Sequence, residues 1–194
     1  RDQTQDAAMQ KSLASALDEV RRLSGVLEKT LELNRSERHA LHFEAVSLAE
    51  VVESVIHRLD PWIAAKEAKL DVSLDSQLFV RGDFASLQNS VQSLLENALQ
   101  YNPRHDKQIQ IRLFSRGARV ILAVSDNGPG IAPREQARIF DRFYRGQSAQ
   151  GVSGTGLGLY LARVILEAHR GGLRLVSSLS GACFEMDLPQ ARHA

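Results

Sequence analysis

Apolar residues recur along this chain in two periods, and the points where the period changes divide it into elements. From Ala8 to about Arg35 there is no proline and one glycine, Gly25. Leu13, Leu17, Val20, Leu27 and Leu31 fall at spacings of four, three, seven and four, with Ser24 in the gap and Leu23 widening the stripe. That is close to a heptad seam on one long helix. The seam either packs on its own domain or forms part of a helical bundle or dimer. The helix is long and precedes everything that looks globular, which favours the bundle. Arg35, Ser36, Glu37 and Arg38 interrupt the pattern and mark a connector.

From Leu41 the periods alternate. His42 to Val46 predicts a short edge strand. Ser47-Leu48-Ala49-Glu50 is a capping-box pattern that starts a helix expected to reach about Ala65. Pro61 lies inside that span, so a kink or break is expected near Asp60. Lys69 to Leu74 alternates like a strand with one wet face, and Phe79 and Val80 predict a small paired strand ended by Gly82-Asp83. Asp83 is placed to cap a helix from Phe84 to Tyr101, with Leu87, Val91, Leu94, Leu95 and Ala98 on its buried face. Gln108 to Phe114 and Val120 to Ser125 read as strands joined by a hairpin turn at Arg116 to Arg119. Leu157 to His169 reads as an amphipathic helix with Gly171-Gly172 as its C-cap, and strands follow at Leu173 to Ser177 and Ala182 to Leu188. The expected fold is α+β: a two-layer α/β sandwich with a mixed sheet on one side and helices on the other, preceded by the long helix. The expected division is a helix and connector over residues 1–38 and a globular domain over 39–194.

Composition narrows the function classes. The 194 residues are 43% hydrophobic and 24% charged, with a net charge of +1. That balance carries no polyanion-binding signature, so nucleic acid is not an expected partner. The longest apolar run, around Val120 to Val124, is too short to span a bilayer, and no signal peptide opens the chain. No membrane contact is therefore expected from these residues. The expected location is cytoplasmic, either as a free protein or as the cytoplasmic part of an inner-membrane receptor. The single cysteine, Cys183, lies in an apolar alternation and reads as core rather than as a reactive thiol.

Two glycine clusters carry the chemistry. Asp126-Asn-Gly-Pro-Gly-Ile131 follows the apolar strand, and Gly154-Thr-Gly-Leu-Gly-Leu159 runs into the amphipathic helix. Glycine lets backbone approach a ligand or form a loop that moves, and free N–H groups at a helix start face anions. Strand, carboxylate, turn, mobile segment and phosphate-facing helix start together describe a nucleotide site. On the Phe84 helix, Ser93, Asn97 and Tyr101 repeat every four residues beside Glu96 and Gln100. Alone, Asn97 is either a solvated surface residue or an oxygen ligand for Mg²⁺; beside a nucleotide-shaped loop it becomes a candidate ligand.

The order of these motifs resembles the ATP-binding domain of bacterial sensor histidine kinases, within the group shared with gyrase, Hsp90 and MutL. Leu94-Leu-Glu-Asn97-Ala-Leu-Gln-Tyr101 is similar to the family's N box and Asp126-Asn-Gly-Pro-Gly130 to its G1 box. Ile139-Phe-Asp-Arg-Phe-Tyr144 resembles the F box and Gly154-Thr-Gly-Leu-Gly158 the G2 box. The resemblance implies an ATP and Mg²⁺ site in which Asp126 accepts a hydrogen bond from the adenine amino group. Gly128 and Gly130 then let backbone pass close to the base, and Tyr101 lies along the nucleotide. Asn97 holds Mg²⁺, and Ile131 to Ser153 form the ATP lid. Gly154, Gly156 and Gly158 cradle phosphates, with Thr155, Leu157, Leu159 and Ile131 completing the cofactor-binding set. Phe140 and Phe143 are either part of that set or core residues of a hinge. Arg142 and Arg145 either reach the phosphates or are solvated; Asn97, Ser93 and Arg145 form the candidate catalytic set. The opening helix is similar to the second helix of the family's dimerisation and phosphotransfer bundle, a four-helix bundle formed by two chains. The implied partners are a second copy through that bundle and a response-regulator receiver domain.

Two departures stand out. The family's phosphoacceptor is a His followed by an acidic residue and usually an Arg-Thr-Pro-like turn on the first bundle helix, and none of His39, His42, His57, His105, His169 or His193 has that context. The expectation is a truncated piece or proteolytic fragment of a longer kinase, which does not autophosphorylate alone. In the N box, Ser93 stands where the family usually has Asn, and Gln100 where it usually has Lys or Arg. The alternative expectation is therefore a degenerate nucleotide-sensing or protein-interaction module with little or no phosphoryl transfer. A gyrase- or Hsp90-type ATPase is a third reading, weakened because Ser93 stands where those enzymes carry their water-activating Glu.

Overall fold

The computed structural model describes residues 41–146, 154–176 and 180–191. The predicted bundle helix, its connector and lid residues 147–153 lie outside the described residues, so the expected division at residue 38 falls there too.

Strand β1 (Glu44–Ser47) leads into helix α1 (Leu48–Ala65), where Ser47 caps the helix by accepting from the Glu50 amide at 3.4 Å. No break occurs near Asp60: α1 continues through Pro61 to Ala65. The amide lost at Pro61 would have bonded the His57 carbonyl, and both residues are exposed, which leaves the freed oxygen open to solvent at little cost. Strands β2 (Lys69–Leu74) and β3 (Phe79–Gly82) follow, and β3 pairs antiparallel with β1 in a small separate sheet.

Asp83 caps helix α2 (Phe84–Gln100) through a 2.8 Å bond from the Ser86 amide to Oδ1. That cap contributes about 1 kcal/mol. Leu87, Val91, Leu94, Leu95 and Leu99 are each at most 1% exposed, and burying each contributes roughly 1.5–3 kcal/mol. Packing therefore fixes where α2 lies, and the cap fixes where it starts. Strands β4 (Gln108–Arg116) and β5 (Arg119–Asp126) form the predicted hairpin. A short helix α3 (Pro133–Gln136), helix α4 (Gly158–Ala168), and strands β6 (Gly172–Val176) and β7 (Cys183–Pro189) complete the described fold.

The main sheet has the order β2-β4-β5-β7-β6 and is mixed, β2 running parallel to β4 and the remaining pairs antiparallel. Ile109, Ile111 and Leu113 of β4, Val120, Leu122 and Val124 of β5, and Phe184, Met186 and Leu188 of β7 share one core with α1 and α2. The α+β sandwich expected from the sequence is the fold observed. On the opposite face Ile121 is 2% exposed, beneath a charged layer in which Arg116 and Arg174 both donate to Glu185.

The end of α4 differs from the expectation. The left-handed residue is Arg170, at φ +57°, and the Gly171 amide bonds back to the Leu166 carbonyl at 2.7 Å. Gly171 is required for another reason: a Cβ there would stand 2.3 Å from the Asp187 carbonyl oxygen of β7.

Candidate functional site

The site is built at one end of the central strand. Strand β5 lies between β4 and β7, and its last residue is Asp126. The Asp126 amide donates to the Ala182 carbonyl at 2.9 Å, while its Oδ1 accepts from the Gly128 amide at 2.7 Å. Burial pushes the Asp126 carboxyl above its ordinary range, against the downward pull of the Gly128 and Ala182 amides. The surrounding backbone leaves no room for side chains. A Cβ at Gly128 would lie 2.6 Å from Asp126 Oδ1, and one at Gly181, where φ is +73°, would lie 1.9 Å from the Asp126 carbonyl oxygen.

The turn after Asp126 is tied to the end of α2. Asn127 Oδ1 accepts from the Asn102 side-chain amide at 2.7 Å and from the Gln108 amide at 3.0 Å. The Asn127 amide group donates to the Asp106 carbonyl at 2.9 Å. Asn102, 2% exposed, also accepts from the Arg104 amide through Oδ1. These bonds satisfy a buried polar pair and fix the carboxylate against the wall that α2 provides.

That wall is a stripe of α2 at helical spacing. Ser93, Glu96, Asn97, Gln100 and the cap residue Tyr101 all line one cleft with Asp126. The cleft is open to solvent, and the space within and just above it is about 1010 Å³. Glu96 is oriented by the Gln92 side-chain amide, which donates to Oε1 at 2.7 Å. Across from this stripe stand Gly130, Ile131 and Arg145, and then Gly154, Thr155, Gly156, Gly158 and Leu159. Leu157 provides no side-chain cap for α4. The first N–H groups of that helix therefore have no side-chain partner from the cap position, the arrangement that favours an anion.

The F-box segment and the second glycine cluster are clasped through their backbones. Phe143 has φ +63°, an unfavourable conformation for a bulky residue, and its amide donates to the Gly156 carbonyl at 3.0 Å. Gly156 has φ +68°, and a Cβ there would meet Phe143 and Tyr144 backbone atoms at 2.7 Å.

Of the residues singled out from the sequence, Ser93, Asn97, Tyr101, Asp126, Gly130, Ile131, Arg145, Gly154, Thr155, Gly156, Gly158 and Leu159 share the cleft. Four others sit behind or beside it. Gly128 supports Asp126 from the turn, and Leu157 is fully buried. Phe140 packs edge-on against Phe184 of the core, with ring centroids 6.3 Å apart. Phe143 is 51% exposed, with the Arg142 guanidinium over its ring. For Phe140 the hinge-core alternative is thus the one its packing matches.

Several cleft residues were not singled out: Pro129, Glu135, Ile139, Tyr144, Gly146 and Ala182, nor was the lock residue Asn102. Glu135 accepts from the Tyr144 hydroxyl at 3.4 Å and is 8% exposed. The usable signals were Asn102-Pro103 at a helix end and Gly181-Ala182 just before a strand, both marks of a tight approach.

Among the described residues no group of three or more His, Cys, Asp or Glu side chains is arranged for a metal ion. Nor is any described helix long and apolar enough to cross a membrane.

Residues 82–192 match the family of histidine kinase-, DNA gyrase B- and HSP90-like ATPases. The chain belongs to that family. This ATPase domain is 36% identical over 171 residues to the sensor protein kinase PmrB of Pseudomonas aeruginosa, an alignment covering 87% of the chain and 35% of PmrB. The chain thus spans about a third of the length of that relative. A solved structure of the mycobacterial sensor histidine kinase MprB superimposes with a TM-score of 0.68 at 26% identity, covering 78% of this chain and 99% of that one. The histidine kinase ThkA, solved in complex with the response regulator protein TrrA, shares the fold with a TM-score of 0.73 at 22% identity, over 89% of this chain and 48% of that one. The ATP-binding fold expected from the four motifs is therefore this ATPase domain's own, and its relatives are sensor histidine kinases.

Proposed function

We propose that this domain is the catalytic part of a two-component sensor histidine kinase, transferring the γ-phosphoryl group of ATP to a His imidazole on a dimerisation-bundle helix. The observation that carries the reading is one cleft holding a half-buried carboxylate, an amide-bearing helix and a glycine-rich helix start together. Asp126 accepts from the adenine amino group and so selects adenine over guanine. Tyr101 and Ile131 flank the base and sugar, and the start of α4 takes the phosphates. Phosphoryl transfer requires chiefly positioning and charge stabilisation. Asn97, Ser93 and Arg145 supply these around the γ-phosphoryl group.

Mg²⁺ suits the donors present. Ser93, Glu96 and Asn97 offer hard oxygen atoms along one face of α2, and Mg²⁺ is held by one or two protein oxygens with phosphates and water rather than by a protein cage. Asn97 would hold it, and when bound it would neutralise charge on the phosphates. The proposed partners are a response-regulator receiver domain, a reading supported by the complex of ThkA with the response regulator protein TrrA, and a second copy through the bundle. The proposed location is cytoplasmic.

Ser93 and Gln100 keep a second reading in view, a nucleotide-sensing module with little transfer. Both line the cleft, and neither brings a positive charge to it. A chimera tests the choice: a bundle helix that bears a phosphoacceptor His is fused ahead of residue 1 and the product is incubated with γ-labelled ATP. Acid-labile phosphohistidine that Asn97→Ala abolishes is the expected result. Nucleotide binding without label would support the sensing module.

A further inference from the structure

The cleft occupies one end of the α2–α4 pair, and a second built contact occupies the other. The two helices lie side by side and antiparallel. The end of α2 and the start of α4 line the cleft, and the cap of α2 meets the last turn of α4 at the far end. His169 sits there, 2% exposed. Its Nδ1 lies 2.7 Å from the Ile165 carbonyl oxygen of its own helix, and its Nε2 accepts from the Asp83 amide at 3.0 Å. A carbonyl only accepts and an amide only donates, so the ring is the neutral Nδ1–H tautomer. Gly82 makes room for it: a Cβ there would stand 2.7 Å from His169 Cδ2. The incoming chain closes the contact. The Phe43 ring stands 4.9 Å from the imidazole, tilted by 41°, and the His42 amide donates to Asp83 Oδ2 at 3.2 Å.

We propose that His169 is a positioning residue for the nucleotide cleft, keying the far ends of α2 and α4 to each other and to the incoming chain at Phe43, and that protonating its ring undoes the key and weakens nucleotide binding. The inference rests on the nucleotide reading above. An imidazolium has two donors and no acceptor, so the Asp83 amide would face Nε2–H and lose its bond. Asp83 heads α2, and Asn97 lies fourteen residues further along it, or about 21 Å at 1.5 Å per residue. A small rotation at the joint therefore moves the cleft wall.

The ionisable groups around the ring pull in opposite directions. Burial holds the His169 imidazole below its ordinary range, while the Ile165 carbonyl and the Asp83 carboxylate from α2 pull it up. From β5, Arg119 donates to the carbonyl of the adjacent Arg170, and His42 approaches from β1's side through its backbone bond to Asp83. The net effect favours the neutral ring in the folded chain. The unfolded chain thus takes up the proton first on acidification, and stability at this joint falls as pH drops below about 6.5.

The test compares the 194-residue chain with His169→Gln, whose side-chain oxygen accepts from the Asp83 amide without titrating, and with His169→Leu. Mg·ADP is titrated calorimetrically at pH 7.5 and 5.5. Wild type is expected to lose at least fivefold in affinity at pH 5.5. His169→Gln should bind within twofold of wild type at pH 7.5 and lose clearly less on acidification, and His169→Leu should bind weakly at both. Titration of Asp126 and of the nucleotide phosphates is common to all three, so the difference between wild type and His169→Gln isolates the ring. Nitrogen-15 spectra of the imidazole should show the Nδ1–H tautomer titrating below pH 6.5. Equal loss in wild type and His169→Gln, or an Nε2–H ring, overturns the inference. Failure of wild type to bind Mg·ADP at pH 7.5 overturns the nucleotide reading itself.

Discussion

Asp126 ends β5 with Oδ1 engaged by the Gly128 amide, in surroundings that oppose its charge. A carboxyl raised in the folded chain holds its proton more tightly there than in the unfolded chain. Stability from this group is present at low pH and is lost as pH rises through the folded value, so at neutral pH the charged form works against folding. Asp126→Asn keeps an acceptor for the Gly128 amide and removes that charge. Scanning calorimetry of the nucleotide-free variant should show a higher unfolding midpoint than wild type. Its adenine nucleotide affinity should fall by about 10- to 100-fold, the scale of one hydrogen bond to a charged group. The glycines nearby separate two effects. Gly117→Ala meets open space at φ +65° and should cost about 1–2 kcal/mol from backbone strain alone. Gly181→Ala combines φ +73° with a Cβ 1.9 Å from the Asp126 carbonyl oxygen. Urea unfolding should show the larger loss there, and the cleft should fail with it.

Among the elements, those set by local chemistry were legible in the sequence. Asp83 caps α2 and Ser47 caps α1 as their side chains required; period-two alternation marked β4, and a continuous apolar run marked β5. What the sequence did not disclose depends on neighbours distant along the chain. Gly171 reads locally as a C-cap, yet it is the approach of β7 that excludes a side chain. Pro61 reads as a breaker, yet its helix face is wet and the loss is absorbed. Asn102 carries no local mark beyond the proline after it, because its partner Asn127 comes 25 residues later. Asn102→Ala removes the donor that holds the turn to α2 and should cost about 1–3 kcal/mol in urea unfolding. Weaker nucleotide binding should accompany it, since the Asp126 turn then loses its tie to the Asn97 helix.

Over the whole molecule, the core side of the sheet is held by packing and the outer side by charge. Burial raises the Glu185 carboxyl, but hydrogen bonds and charge from Arg116 and Arg174 outweigh it and leave it below its ordinary range. That stabilisation is present above about pH 4.5 and is lost as pH falls through the lower folded value. Both arginines are about half exposed, so screening limits the effect. Glu185→Gln should destabilise the domain by roughly 1–2 kcal/mol at pH 7, with the gap to wild type narrowing in denaturant titrations as pH falls below the ordinary carboxylate range. The α2–α4 pair thus has the cleft at one end and the His169 contact at the other.

In the proposed function this cleft takes an adenine nucleotide through Asp126. Calorimetric titration of the chain with Mg·ADP and a non-hydrolysable ATP analogue, with Asp126→Asn alongside, tests it most directly. Saturable binding of both ligands by wild type, abolished or severely weakened by the substitution, is the expected result. A folded wild-type chain that takes up neither nucleotide would contradict it.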